Sequence, residues 1–142
     1  MAASKDIQIS TDKSMLNIDV IYGFLSESYW AKGRPLEVIK KSIENSLCFG
    51  VYLDNKQIGF ARVVTDYSTF AWIADVFIME KHRGRGYSKR LLQNILSFPE
   101  LKNLKRWILA TKDAHALYNK FGFQQLKNPE RFMEIVVPKA AV

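Results

Sequence analysis

The sequence predicts a mixed α/β sandwich: one central, mostly antiparallel sheet with helices on both faces. Three observations carry this prediction. Short apolar runs bounded by turn residues alternate with stretches whose apolar positions recur at helical spacing. The run from Phe70 to Met79 is apolar on both of its faces, so it belongs in the middle of a sheet covered twice. That run leads into a Gly-rich basic turn, Arg83-Gly84-Arg85-Gly86-Tyr87-Ser88, which opens directly into an amphipathic pattern.

The elements follow in order. Ile7 to Ile9 is a short first strand. Ser10 or Thr11 caps a helix from about Ser14, with Met15, Leu16, Ile18, Ile21, Phe24 and Leu25 at mostly helical spacing. Residues 29–34, Tyr-Trp-Ala-Lys-Gly-Arg, interrupt it. Pro35 suits the first turn of a second helix with Leu36, Ile39 and Ile43 as its stripe. Leu47 to Leu53 and Ile58 to Thr65 form an antiparallel pair around the turn Asp54-Asn55-Lys56. A turn at Asp66 to Thr69 precedes the central strand Phe70 to Met79. From Gly86 onward, Tyr87, Leu91, Leu92, Ile95 and Leu96 make a helix face that Pro99 stops. Trp107 to Ala110 is a strand, and Ala114 to Phe121 a short helix ended by Gly122. Phe123 to Leu126 and Phe132 to Val137 close the chain as strands, giving βααβββαβαββ.

The chain has 142 residues, the length of one domain spanning 1–142, and is large enough to bury a core without staples. The single cysteine, Cys48, excludes an internal disulfide framework and fits a reducing, cytoplasmic setting. No N-terminal stretch has signal-peptide form and no apolar run approaches the roughly 20 residues that cross a bilayer, so no membrane partner is expected. The net charge of +7 suits an anionic ligand, yet Lys and Arg are spread through the chain rather than gathered in a tract. Zinc spacing, RNP-type aromatics and a basic heptad region are all missing, which argues against a nucleic-acid-binding domain, the rival class for a small basic protein. His82 and His115 lie far apart with no pairing motif, so no metal is expected.

Two features point to chemistry. A strand, a phosphate-sized Gly-rich turn and a helix N-terminus in succession aim backbone N–H groups and a positive dipole end at one place, an anion site. Gly84 and Gly86 keep side chains out of the way, and Arg83, Arg85, Lys89 and Arg90 supply cations. The central strand also carries one carboxylate, Asp75. Left unpaired in an apolar setting it costs several kcal/mol, so it is either an active-site group or an acid satisfied by the backbone or a neighbouring arginine.

The wording of these segments resembles the GNAT superfamily of acetyl-CoA-dependent N-acetyltransferases, from about Ile7 to Val137. Arg83 to Ser88 is similar to that family's coenzyme A turn, Arg/Gln-x-x-Gly-x-Gly/Ala, with Ser88 at the last position. Residues 114–123, from Ala114 through Tyr118 to Gly122-Phe123, resemble its A-x-x-x-Y-x-x-x-G-F segment. Thr111 stands where many members carry Asn, and Asp75-Val76-Phe77-Ile78 is similar to the ending of the family's fourth strand.

The resemblance implies a GNAT-like sandwich and an enzyme that moves an acetyl group from acetyl-CoA to a primary amine of a small molecule or peptide. It implies that Arg83, Gly84, Arg85, Gly86, Tyr87 and Ser88 hold the pyrophosphate. The pantetheine arm then lies along Val76, Phe77 and Ile78, one of whose N–H groups supports the oxyanion. Tyr118 stands beside the thioester sulfur as general acid or as a hydrogen-bond donor to it. Asp75 is the candidate base, or the charge that holds the ammonium group. Tyr29 and Trp30, in the flexible junction before Gly33, are candidate acceptor contacts. Arg62 is either an acid-binding cleft residue or an ion-paired arginine, Asp66 a turn residue and Cys48 core filling. A homodimer is compatible with all of this. The alternatives are a non-catalytic acyl-CoA-binding module of the same fold and a small nucleic-acid-binding domain.

Overall fold

A computed structural model describes residues 6–138 as two compact units, one ending at Ala110 and the other beginning at Thr111. The first holds a five-stranded sheet in the order β1 (Gln8–Ser10), β2 (Leu47–Leu53), β3 (Lys56–Thr65), β4 (Phe70–Ile78), β5 (Arg106–Leu109). The first three pairings are antiparallel and β4–β5 is parallel. Helices α1 (Ile18–Leu25) and α2 (Leu36–Glu44) cover one face and α3 (Tyr87–Leu96) the other. This is the sandwich the sequence predicts.

Local chemistry explains the boundaries. The first helix starts later than its apolar spacing predicts because two caps divide the segment. Asp12 accepts from the Ser14 amide and closes one 3-10 turn at Lys13–Met15, while the Asn17 side chain accepts from the amides of Asp19 and Val20 and starts α1. In the β2–β3 hairpin, Asp54 and Asn55 both take left-handed backbone (φ 54° and 63°), the geometry a two-residue hairpin turn needs. Asp66 organises the next turn, its carboxylate accepting from the amides of Ser68, Thr69 and Phe70.

Pairing register sorts the sheet's side chains by face. Ile21, Leu25, Ala31 and Ile39 pack with Cys48, Phe60 and Phe77 beneath α1 and α2. The opposite face presents Phe49, Val51, Ala61, Val63 and Ile73, and α3 buries Leu91, Leu92 and Ile95. On the α1–α2 face the helical cover stops partway along. Arg62, paired with Cys48 and Ala74, is the next row after Phe60, and Val64 beyond it is 40% exposed.

The second unit contains α4 (His115–Asn119) and a 3-10 turn at Pro129–Arg131. Here the sequence reading needs correction. Phe123 to Leu126 and Phe132 to Val137 form no strand, and Met133, Ile135, Val136 and Val137 are exposed. Strand-forming composition expresses a fit to a pleated, half-buried surface, and these residues have no ladder partner among the described residues to provide one. Among the described residues the order is therefore βααβββαβα, with β5 one residue earlier than expected and α4 shorter at both ends.

Candidate active site

Asp75 owes its position to an irregularity in β4. Phe60 pairs with Phe77 and Arg62 with Ala74, so Ala61 of β3 faces two β4 residues, Asp75 and Val76. Such a bulge re-aims the side chain at its centre. With regular alternation from Ala74, Asp75 would point to the face opposite Arg62; instead its Oδ2 lies 2.8 Å from Arg62 Nε. The backbone at Asp75 is left-handed (φ 54°), a conformation costing a non-glycine residue about 1–2 kcal/mol. Neighbouring contacts hold it there.

Those contacts saturate the carboxylate. Trp30 Nε1 donates to Oδ1 at 2.8 Å, and Arg34 Nη1 reaches Oδ1 and Oδ2 at 3.2 and 3.1 Å. Arg62 donates through Nε to Oδ2 and through Nη1 to Ser46 Oγ at 3.1 Å. Asp75 is 5% exposed. Burial pushes its carboxyl up, but the Arg62 hydrogen bond, the Arg34 and Arg62 charges and the Trp30 bond outweigh that and hold it below the usual carboxylate range. A carboxylate so stabilised is a weak proton acceptor, and its charge is already matched. Of the two readings open in the sequence, the geometry fits an acid satisfied by neighbouring arginines better than a base or an ammonium binder.

The same contacts also lock the junction between α1 and α2. Trp30 and Arg34 both come from it and both bond to the β4 bulge. Trp30 packs edge-on against Tyr29 at 5.1 Å and tilted against Phe24 at 6.2 Å. Both junction aromatics keep exposed surface, 58% for Tyr29 and 39% for Trp30. Tyr29, Trp30, Arg34, Arg62 and Asp75 thus form one cluster at the rim of the helical cover. Arg34 escaped the sequence reading: a lone arginine in an irregular junction has no periodicity to mark it.

The Gly-rich turn lies just beyond the end of β4. Gly84 and Gly86 take left-handed backbone (φ 79° and 80°), and a Cβ on either would meet no protein atom within 4 Å. Glycine therefore serves backbone shape and open approach here rather than close protein packing. The α3 N-terminus has neither a side-chain cap nor an acidic first turn. From Gly84 through Lys89, successive amides find no acceptor among the described residues; the first to do so is Arg90, bonded to Gly86. Such a row of unsatisfied N–H groups at a helix start fits a pyrophosphate.

Its cations divide unequally. Arg83 turns back: Nε donates to the Ile78 carbonyl at 2.9 Å and the guanidinium lies 6.0 Å from the Phe24 ring centre, while its amide bonds to Glu80. Arg90 pairs with Asp6. Arg85 and Lys89 are exposed. Of the six residues from Arg83 to Ser88 expected to grip a diphosphate, Arg83 thus supports the turn, while the amides of Gly84, Arg85, Gly86, Tyr87 and Ser88 have no acceptor among the described residues.

Between bulge and turn, β4 has an open edge. Its pairing with β5 ends at Ile73–Leu109, so among the described residues Ala74 to Ile78, including the expected pantetheine track Val76-Phe77-Ile78, has no strand on that side. An extended, amide-bearing ligand can add to such an edge.

In the second unit, Tyr118 is 8% exposed and meets Phe123 edge-on at 5.9 Å. Gly122 (φ 95°) closes α4, with Phe123 N donating to the Tyr118 carbonyl. Thr111 Oγ1 accepts from the Ala114 amide at 3.0 Å and so caps the approach to this helix. Cys48 is buried and its thiol is pushed up to about 11, chiefly by burial, as core filling predicts.

The acetyltransferase (GNAT) family model matches residues 17–123. The chain belongs to this family. Its match spans the junction, the bulge, the Gly-rich turn and Tyr118. A GNAT-family crystal structure from Xanthomonas campestris is 46% identical, with a TM-score of 0.92 over 95% of this chain and 96% of that one. A Gibberella zeae protein bearing an acetyltransferase name is 29% identical over 136 residues, 81% of this chain and 77% of that protein. A structure from Clostridium acetobutylicum, crystallised with acetyl-CoA, shares the fold at a TM-score of 0.66 over 93% of this chain and 96% of that one, with 13% identity.

Proposed function

We propose that this GNAT protein transfers an acetyl group from acetyl-CoA to a primary amine of a small molecule or peptide. The observation that carries the reading is the row of acceptorless amides at Gly84 to Lys89, reached without obstruction over two left-handed glycines. These amides hold the pyrophosphate, helped by the helix dipole with about 0.3–1 kcal/mol. The open edge Ala74–Ile78 takes the pantetheine arm, and one of its N–H groups steadies the oxyanion.

Acetyl-CoA supplies an activated acyl group. The amine lone pair forms the new C–N bond, the C–S bond breaks, the amine loses a proton and the thiolate gains one. A phenol of pKa ~10 protonating a thiolate of pKa ~8.5 runs uphill by about 2 kcal/mol, so the part that the family resemblance assigns to Tyr118 is a hydrogen bond to the sulfur as charge develops rather than a separate proton transfer. Asp75 positions rather than abstracts: through Trp30 and Arg34 it fixes the acceptor junction to β4. With two arginines around one carboxylate the cluster is cationic, and a cationic surrounding lowers an amine's pKa and favours its neutral, attacking form.

A thermal-shift titration tests the binding half. Acetyl-CoA near 100 times its dissociation constant stabilises the fold by about 2.7 kcal/mol, and single-stranded oligonucleotide does not. Release of free coenzyme A across a panel of amines tests the transfer half, with Tyr118→Phe lowering kcat while coenzyme affinity holds. Protection by oligonucleotide but not by acetyl-CoA refutes the assignment. Coenzyme binding without turnover of any amine favours the sensor reading.

A further inference from the structure

We infer that the acceptor carries an anionic oxygen group, carboxylate or phosphate, which Arg34 receives beside the Asp75 bulge; this rests on the acetyl-transfer reading and names its substrate class. The argument begins with charge. Asp75 brings one negative charge and Arg34 and Arg62 two positive ones, and among the described residues Asp75 is the only acid paired with either arginine. The site keeps a net positive charge where much water is excluded: the side chains of Arg62, Arg34 and Asp75 are 15%, 25% and 2% exposed. A cationic acceptor group would be repelled there and an anionic one drawn in.

Donor accounting selects the arginine. Arg62 is anchored at two nitrogens, to Asp75 and to Ser46. Arg34 meets Asp75 through Nη1 alone, and its Nε and Nη2 have no acceptor among the described residues. One edge of a rigid guanidinium fork is thus unfilled, the shape that grips carboxylate or phosphate with two parallel hydrogen bonds. Part-exposed Tyr29 and Trp30, from the same junction, offer apolar surface for the body of such an acceptor.

The Trp30 indole N–H, bonded to Asp75, reports on this cluster without needing turnover. The chain has three tryptophans, so its spectrum holds three indole resonances, and Trp30→Phe identifies the one to follow. At constant ionic strength the protein is titrated separately with succinate, inorganic phosphate and 1,4-diaminobutane. A saturable shift of the Trp30 resonance with succinate or phosphate, none with diaminobutane, and at least tenfold weaker anion binding in Arg34→Gln support the inference. Whichever anion binds more tightly names the group. Arg34→Lys, which keeps the charge but loses the fork, weakens binding less than Arg34→Gln. No saturable shift with either anion, a saturable shift with diaminobutane, or unchanged anion binding in Arg34→Gln overturns it. Failure of acetyl-CoA to stabilise the same sample instead counts against acetyl transfer, so the two failures are distinguishable.

Discussion

Replacing Asp75 with Asn removes one charge and little else. Asn tolerates left-handed backbone, so the bulge at φ 54° keeps its shape, and the amide oxygen still accepts one hydrogen bond. What remains is two guanidinium groups with no counter-charge. Removing one partner of a fully buried ion pair costs about 3–5 kcal/mol; Arg34 and Arg62 keep some exposure, so screening brings the expected loss to about 2–3 kcal/mol. For a chain of this length that is a fall in Tm of about 4–10 °C. Urea denaturation at pH 7 measures it directly. The acid limb supplies a second signature. The folded pKa of Asp75 lies below its unfolded value, so its stabilising contribution is present above about pH 4. It is lost as pH falls through the lower folded value, and Asp75→Asn therefore loses less stability than the parent on acidification. A double-mutant cycle with Arg62→Gln should show coupling above about 1 kcal/mol. A loss under about 0.5 kcal/mol for Asp75→Asn at pH 7, with an unchanged acid limb, would refute the view that this carboxylate is held by its arginines.

Two further outcomes follow from the same geometry. Gly86→Ala places a Cβ on left-handed backbone, costing about 1–2 kcal/mol of stability, and leaves it in the open space above the acceptorless amides. Coenzyme A affinity by calorimetry should fall at least tenfold, more than the stability change explains; an unchanged affinity would remove this turn from the cofactor site. Cys48, buried with its thiol pushed up to about 11, should not react with a thiol reagent at pH 8 in the native protein and should give one equivalent in denaturant. Rapid native reaction would show that this part of the core opens readily.

Much of the first unit was legible in one dimension because its signals are local. The limits of β2 follow from an apolar run closed by turn residues, and the start of α3 from a glycine pair followed by helical spacing. The Gly-rich turn was legible for the same reason, since backbone freedom at Gly84 and Gly86 is a property of the residues themselves. The cap was misread: the sequence offered Ser10 or Thr11, whereas the folded chain caps with Asp12 and Asn17, side chains of the same hydrogen-bonding chemistry that spacing alone does not separate.

By itself, then, the sequence determined the layered class, the succession of strand, Gly-rich turn and helix, and the place of one unusual carboxylate, all set by short-range spacing and stereochemistry. Tertiary structure alone decided what that carboxylate does. Trp30, Arg34 and Arg62 lie 45, 41 and 13 residues from Asp75 and reach it only because a bulge turns its side chain to their face. It also left the last two predicted strands unformed, for the same physical reason: a strand, like an ion pair, exists only where the fold supplies the other half.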